Sequence, residues 1–127
     1  MKNLFKNAIM AISATLSLNG KSNSAITTGH ASFYARDYVG KKMANGQPYN
    51  AYLLTMATWA FPIGSMVELT YTSKGGTRRS VVCEVTDRSP AKELRDLGRL
   101  FDLSYSAFRV LENPKIGVIT VTANLIK

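Results

Sequence analysis

The chain has 127 residues, 46% of them apolar and 19% charged, which suits one globular domain with one core and excludes disorder or a second domain. The 16 Lys and Arg outnumber the 8 Asp and Glu, a formal charge of +8, which favours an anionic partner such as nucleic acid, a cell-wall polymer or a membrane surface. The basic residues are scattered, however, and no basic motif interleaved with aromatics marks specific nucleic-acid binding; nor does any apolar run reach the roughly 18 residues of a membrane-spanning helix.

Residues 1–24 have the pattern of a signal peptide or N-terminal extension. Lys2 and Lys6 form a positive start, residues 8–18 an apolar stretch, and residues 19–25 a run of small residues fit for cleavage near Ser24. The alternative is a short amphipathic helix on a protein that is not exported. Residues 25–127 then form the domain proper. Residues 29–35 alternate as a first strand. Residues 36–52 are polar and carry Gly40, Asn45-Gly46 and Pro48, so they read as a loop with a tight turn. Residues 53–60, apolar and bounded by the Phe61-Pro62-Ile63-Gly64 turn, read as a short strand.

Residues 65–72 alternate at period two, with Val67, Leu69 and Tyr71 on one face and Met66 and Glu68 on the other. Ser73-Lys74-Gly75-Gly76 turns the chain, and residues 77–86 return as the second arm of a hairpin. Cys83, the only cysteine, alternates inside that arm and reads as a buried structural thiol. Asp87-Arg88-Ser89-Pro90 ends the strand, a charged loop follows, and Phe101-Asp102-Leu103-Ser104 sits at a strand-to-helix junction. Ser104 is suited to cap a helix over Tyr105–Leu111, Asn113-Pro114 stops it, and residues 117–125 form a last alternating strand. Short strands, short turns and one small helix indicate a mainly β, compact barrel. Asp87 and Asp102 lie beside breakers at strand ends, where side chains tend to face a cleft, and they are the first site candidates. One His and one Cys cannot build a His/Cys metal cluster.

Five motifs, in order, give the chain from Gly29 to Leu125 a resemblance to the rare-lipoprotein-A-like double-psi β-barrel family, related to expansin and barwin domains. They are Ala31-Ser32-Phe33-Tyr34, Ala44-Asn45-Gly46, Leu54-Thr55 with Phe61-Pro62-Ile63-Gly64, Arg79-Ser80-Val81-Val82 with Thr86-Asp87-Arg88-Ser89-Pro90, and Phe101-Asp102-Leu103-Ser104. The resemblance implies a six-stranded double-psi barrel with one or two short helices and a groove for peptidoglycan glycan strands. It further implies lytic transglycosylase chemistry, in which a carboxylic acid protonates the leaving oxygen at the MurNAc–GlcNAc bond while the sugar's own C6 hydroxyl closes an anhydro ring. One acid suffices, unlike the pair in hydrolytic glycosidases, and the resemblance implies no metal or cofactor. By motif position the catalytic residues are Asp102 and Asp87.

Phe101 and Leu103 are expected to desolvate Asp102 and keep it protonated as the acid, while Asp87 beside Arg88 stays ionised and orients substrate or stabilises positive charge at the sugar carbon. The structural alternatives are an Asp87–Arg88 pair and Asp102 acting as a cap. Tyr34, Asn45, Arg88, Tyr49 and Trp59 are the candidate substrate-binding residues, with Tyr52 a further candidate for ring stacking and Asn45 also suited to a turn.

The chain departs from the family pattern at three points. Val39-Gly40-Lys41-Lys42-Met43 replaces the loop that carries a histidine, Thr58 replaces a second histidine, and Ser89 replaces a glycine. His30 lies outside both motif positions. A lytic transglycosylase exported to the periplasm or envelope is therefore weighed against a non-catalytic, expansin-like glycan-binding barrel. A structural module of a larger assembly, such as a phage tail part in a virion, is the third reading.

Overall fold

The structure, a computed structural model, describes residues 26–127; the segment read as a signal peptide or extension lies outside the described residues. Six strands close into a barrel: β1 (Ile26–Phe33), β2 (Thr55–Ala57), β3 (Met66–Thr72), β4 (Arg78–Asp87), β5 (Arg99–Leu103) and β6 (Ile119–Leu125). Around the barrel the order is β1, β5, β2, β4, β3, β6, returning to β1. Two pairs are parallel, β1 with β5 and β2 with β4, and antiparallel pairs join them. The expected mainly β six-stranded barrel is what the chain forms.

Alternation decides what fills it. Val67 and Leu69 of β3, Val81, Cys83 and Val85 of β4, Phe101 and Leu103 of β5, and Ile119, Val121 and Ala123 of β6 all turn inward into one core. β-Branched residues fill half of these positions because they pack well on a pleated, half-buried surface. Burial pushes the Cys83 thiol up to about 12, so it behaves as a small apolar side chain, as its place in the strand indicated.

Two helices accompany the barrel: α1 (Lys92–Asp96) and α2 (Tyr105–Leu111). α2 buries Ala107, Phe108 and Leu111 against the core, a spacing of three and four that puts them on one face. Ser104 caps it as expected, its hydroxyl accepting from the Ala107 amide at 3.2 Å and from the Thr55 amide at 3.3 Å. The cap thus also ties α2 to the start of β2. Ser104→Ala removes both bonds inside a fully buried site and should cost about 1–2 kcal/mol in chemical denaturation, while Ser104→Thr or Ser104→Asn keeps part of that.

Three segments differ from the sequence reading. The strand expected over 53–60 is only β2, because the Thr58 hydroxyl turns away to donate to the Leu100 carbonyl at 3.0 Å and accepts from the Ala60 amide at 3.1 Å. The loop 36–52 holds a 3₁₀ turn, Arg36–Tyr38, and a bridge between Lys42 and Pro48. The charged loop after Pro90 contains α1, which has no side-chain cap and buries no residue, so nothing in its sequence announced a helix.

Candidate active site

Two irregularities in register build the site. In β4 the inward set ends at Val85; β2 then pairs Met56 with Val85 and Ala57 with Asp87, which leaves Thr86 as an extra residue in a bulge. Strict alternation would have aimed Asp87 into the core. The bulge turns it to the outer face instead. In β5 a second slip makes Leu100 the extra residue, between His30–Arg99 and Ala31–Phe101, so Phe101 and Leu103 face inward and Asp102 outward. Ala57 is the register partner of both Asp87 and Asp102. The two aspartates therefore flank one small buried alanine on one face, with their Cα atoms about 10 Å apart across β2.

Asp87 is 7% exposed and accepts three hydrogen bonds. Its Oδ2 accepts from the Tyr34 hydroxyl at 2.6 Å, and its Oδ1 from the amides of Ala44 and Arg88 at 2.9 Å each. The Asp87–Arg88 ion pair, the structural alternative for this residue, does not form. The Arg88 guanidinium instead donates to the carbonyls of Thr58 and Phe61, at 2.7 and 2.6 Å, and braces the turn after β2. Asp102 has a different setting. Its Oδ2 accepts from the Ser89 hydroxyl and its Oδ1 lies 3.7 Å from Arg99 Nε. Phe101 and Leu103 point to the opposite face, so the apolar shell anticipated for Asp102 is replaced by a hydroxyl and a guanidinium. Nor does Asp102 cap α2, since Ser104 does.

The aromatic candidates separate as well. Tyr34 stacks on Tyr49 with ring centroids 4.3 Å apart and an interplanar angle of 11°. Tyr49 is buried and accepts from the Tyr105 amide at 3.1 Å, so its ring supports Tyr34. Trp59 is 55% exposed with Arg88 and Arg95 over its ring at 5.7 and 4.9 Å. Tyr52 is 86% exposed. Asn45 takes the turn role: its side chain accepts from the Gln47 amide at 3.0 Å, and the positive φ falls on Gly46. His30 faces Thr120 at 3.0 Å on an exposed part of β1.

Burial first, and then the bond to Asp87, holds the Tyr34 phenol far above its ordinary 10.0; Tyr38 and Tyr49 are also raised, again chiefly by burial. Such groups keep their protons in the folded chain after the unfolded chain has released them. Their contribution to stability is complete below the unfolded value and is lost as pH rises from about 10. Denaturation midpoints measured at stepped pH should fall above that point, and the fall should be shallower in Tyr34→Phe.

Ser89, Arg99 and the Ala44 amide join the site without having been singled out for it. Ser89 was visible as a departure from the family glycine, but its reach to Asp102 depends on how the chain folds back after β4. Arg99 reaches Asp102 because of the Leu100 bulge, which has no clear sequence signal. Among the described residues no group of His, Cys, Asp and Glu could hold a metal, and no helix is long and apolar enough to cross a membrane.

Comparison with known proteins gives the barrel its relatives. The family model for the double-psi β-barrel described as "Lytic transglycolase" matches residues 26–123. An uncharacterized protein of Synechocystis is 38% identical over 92 residues, covering 72% of this chain and 90% of the relative. The endolytic peptidoglycan transglycosylase RlpA of Vibrio cholerae is 38% identical over 99 residues, covering 77% of this chain but only 33% of the relative. This chain therefore spans about a third of that enzyme. Among solved structures, Streptomyces papain inhibitor superposes with a TM-score of 0.62 at 24% identity, over 81% of this chain and 96% of its own. A Clavibacter michiganensis expansin in complex with cellohexaose superposes with a TM-score of 0.58 at 21% identity, over 81% and 51%. These two likenesses concern the fold. The match over residues 26–123, together with relatives at 38% identity, shows that the chain belongs to the RlpA-like double-psi β-barrel family of lytic transglycolases.

Proposed function

We propose that this domain cleaves the MurNAc–GlcNAc bond of peptidoglycan glycan strands as a lytic transglycosylase. The observation that carries the reading is the pair of bulges that brings Asp87 and Asp102 to either side of Ala57 on one face. The hydrogen-bond inventory divides their roles. Three donors, the Tyr34 hydroxyl and the amides of Ala44 and Arg88, fix the Asp87 carboxylate in place, so Asp87 is suited to orient substrate or stabilise positive charge at the sugar carbon. Asp102 meets one rotatable hydroxyl, which can turn to accept, and lies 3.7 Å from Arg99 Nε; with fewer fixed donors than Asp87, it is the one assigned as the acid.

In the reaction Asp102 gives its proton to the glycosidic oxygen as the bond to the sugar C1 breaks. The C6 hydroxyl of the same sugar attacks C1, closes the anhydro ring and returns a proton to Asp102. No water is consumed and the acid is regenerated. The substrate lies outside the cytoplasmic membrane, so this reading requires export, for which residues 1–24 carry a suitable pattern.

A second reading has its own support. Thr58, at a position where the family pattern has a histidine, is fully buried and spends its hydroxyl on the Leu100 carbonyl, so it cannot replace that histidine at a ligand. A barrel that binds glycan without cutting it would need no such group. Digestion of purified, peptide-free glycan strands with mass-spectrometric analysis decides between the two. Anhydro-sugar ends are expected. Retention of glycan with no new ends would leave a binding barrel, and neither product nor retention would leave a structural module.

A further inference from the structure

Asp102 stands between two groups of different chemistry. Its Oδ2 accepts from the Ser89 hydroxyl, which can donate or accept, and its Oδ1 faces Arg99 Nε at 3.7 Å, a group that only donates. Arg99 Nε is buried without a hydrogen-bond partner, and a shift of about 0.8 Å toward Oδ1 would give it one. A buried donor without an acceptor is costly, so closing that gap is favourable.

Both neighbours sit on anchored backbone. Arg88, just before Ser89, holds two carbonyls of the turn after β2. Pro90, just after Ser89, is fully buried, and its carbonyl accepts from Arg95 at 2.9 Å. Arg99 is placed by the bulge at Leu100. In an unbroken strand residues three apart lie on opposite faces, and the extra residue brings Arg99 to the face of Asp102. The Asp102 carboxyl, on its two rotatable bonds, is the part that can turn, and its side chain is 17% exposed, open enough to meet a sugar oxygen.

We propose that Ser89 and Arg99 are positioning residues that place the acid's proton on Asp102 Oδ2 and then stabilise the carboxylate left when it goes. The proposal rests on the reaction assigned above and adds to it the atom and the order of events. A proton on Oδ1 would point at a group that only donates, so the protonated form carries it on Oδ2, where the Ser89 hydroxyl turns to accept. The glycosidic oxygen then replaces Ser89 as acceptor and takes the proton, and the O–H electron pair stays on Asp102. The Ser89 hydroxyl turns back to donate to Oδ2, and Arg99 Nε closes on Oδ1. As the C6 hydroxyl attacks C1, its proton returns to Oδ2 and Arg99 is released.

The test pairs kinetics with a spectrum of the full chain. Ser89→Ala should lower kcat for glycan-strand cleavage about 10- to 100-fold, the worth of one charge-assisted hydrogen bond, with KM unchanged. Arg99→Met should lower kcat by a similar factor, and Ser89→Thr, which keeps the hydroxyl, should restore most of the rate. The ¹⁵N-edited signal of the Arg99 Nε–H reads the geometry without catalysis. In Ser89→Ala, Asp102 is freed to bond Arg99, and that signal should move downfield from its place in wild type. Unchanged kcat in Ser89→Ala, a loss that falls on KM, an equal loss in Ser89→Thr, or an Arg99 signal that ignores Ser89→Ala would each overturn the inference. Wild type and Ser89→Ala cutting equally well removes only this inference. Absence of cleavage by wild type removes the proposed reaction, and the Arg99 signal then decides alone whether Ser89 and Arg99 share Asp102.

Discussion

Asp102→Asn should lower the rate of glycan-strand cleavage by about 10²–10⁴-fold, the usual worth of a positioned general acid. The amide fills the same space and still accepts from Ser89, so binding of the strand should change little and the loss should fall on kcat. Asp87→Asn tests the other role. With its nitrogen in place of Oδ2 it would donate to a turned Tyr34 hydroxyl while its oxygen keeps the amides of Ala44 and Arg88, so three charge-assisted bonds become weaker neutral ones. That variant should therefore lose activity and some stability together, whereas Asp102→Asn should lose activity alone. Anhydro-product yield and a denaturation curve for each variant separate the two patterns. Undiminished cleavage in Asp102→Asn would remove it as the acid.

The largest loss of stability is expected from Phe108→Ala. Phe108 is fully buried on α2 and packs against Phe33 of β1 with ring centroids 4.8 Å apart. Truncation leaves a cavity where the helix meets the barrel and should cost about 3–5 kcal/mol. Phe108→Leu refills most of that volume and should recover a large part of the loss. A cost under about 1 kcal/mol in urea denaturation would mean that α2 contributes little to the core.

Most of the barrel was legible because its signals are local. Val67 and Leu69 mark an inward face by alternation, Gly75-Gly76 marks a hairpin, and Ser104 marks a helix start; each is found where the pattern indicated. The site was legible in its members more than in its wiring. Asp87 and Asp102 do share a face, but the apolar neighbours assigned to Asp102 point into the core, and the cation assigned to Asp87 holds two carbonyls instead. Both differences arise where bulges and folded-back turns bring distant residues together, as between Ser89 and Asp102. Nearest-neighbour logic fails at such points, because side chains one residue apart on a strand do not share an environment. Tyr49 illustrates the same limit: an aromatic that looked like a sugar platform spends its face on another tyrosine.

The pairing of β1 with β6 matters beyond the core. Ile26 sits opposite Asn124, so the polypeptide enters and leaves this domain side by side on adjacent strands. A domain with neighbouring ends can be spliced between segments of a longer protein like a bead on a loop, because whatever flanks it meets no stretched gap to bridge. Among the described residues every strand also has a neighbour on both sides, so no outermost strand lies open along its whole length for a second copy to pair with.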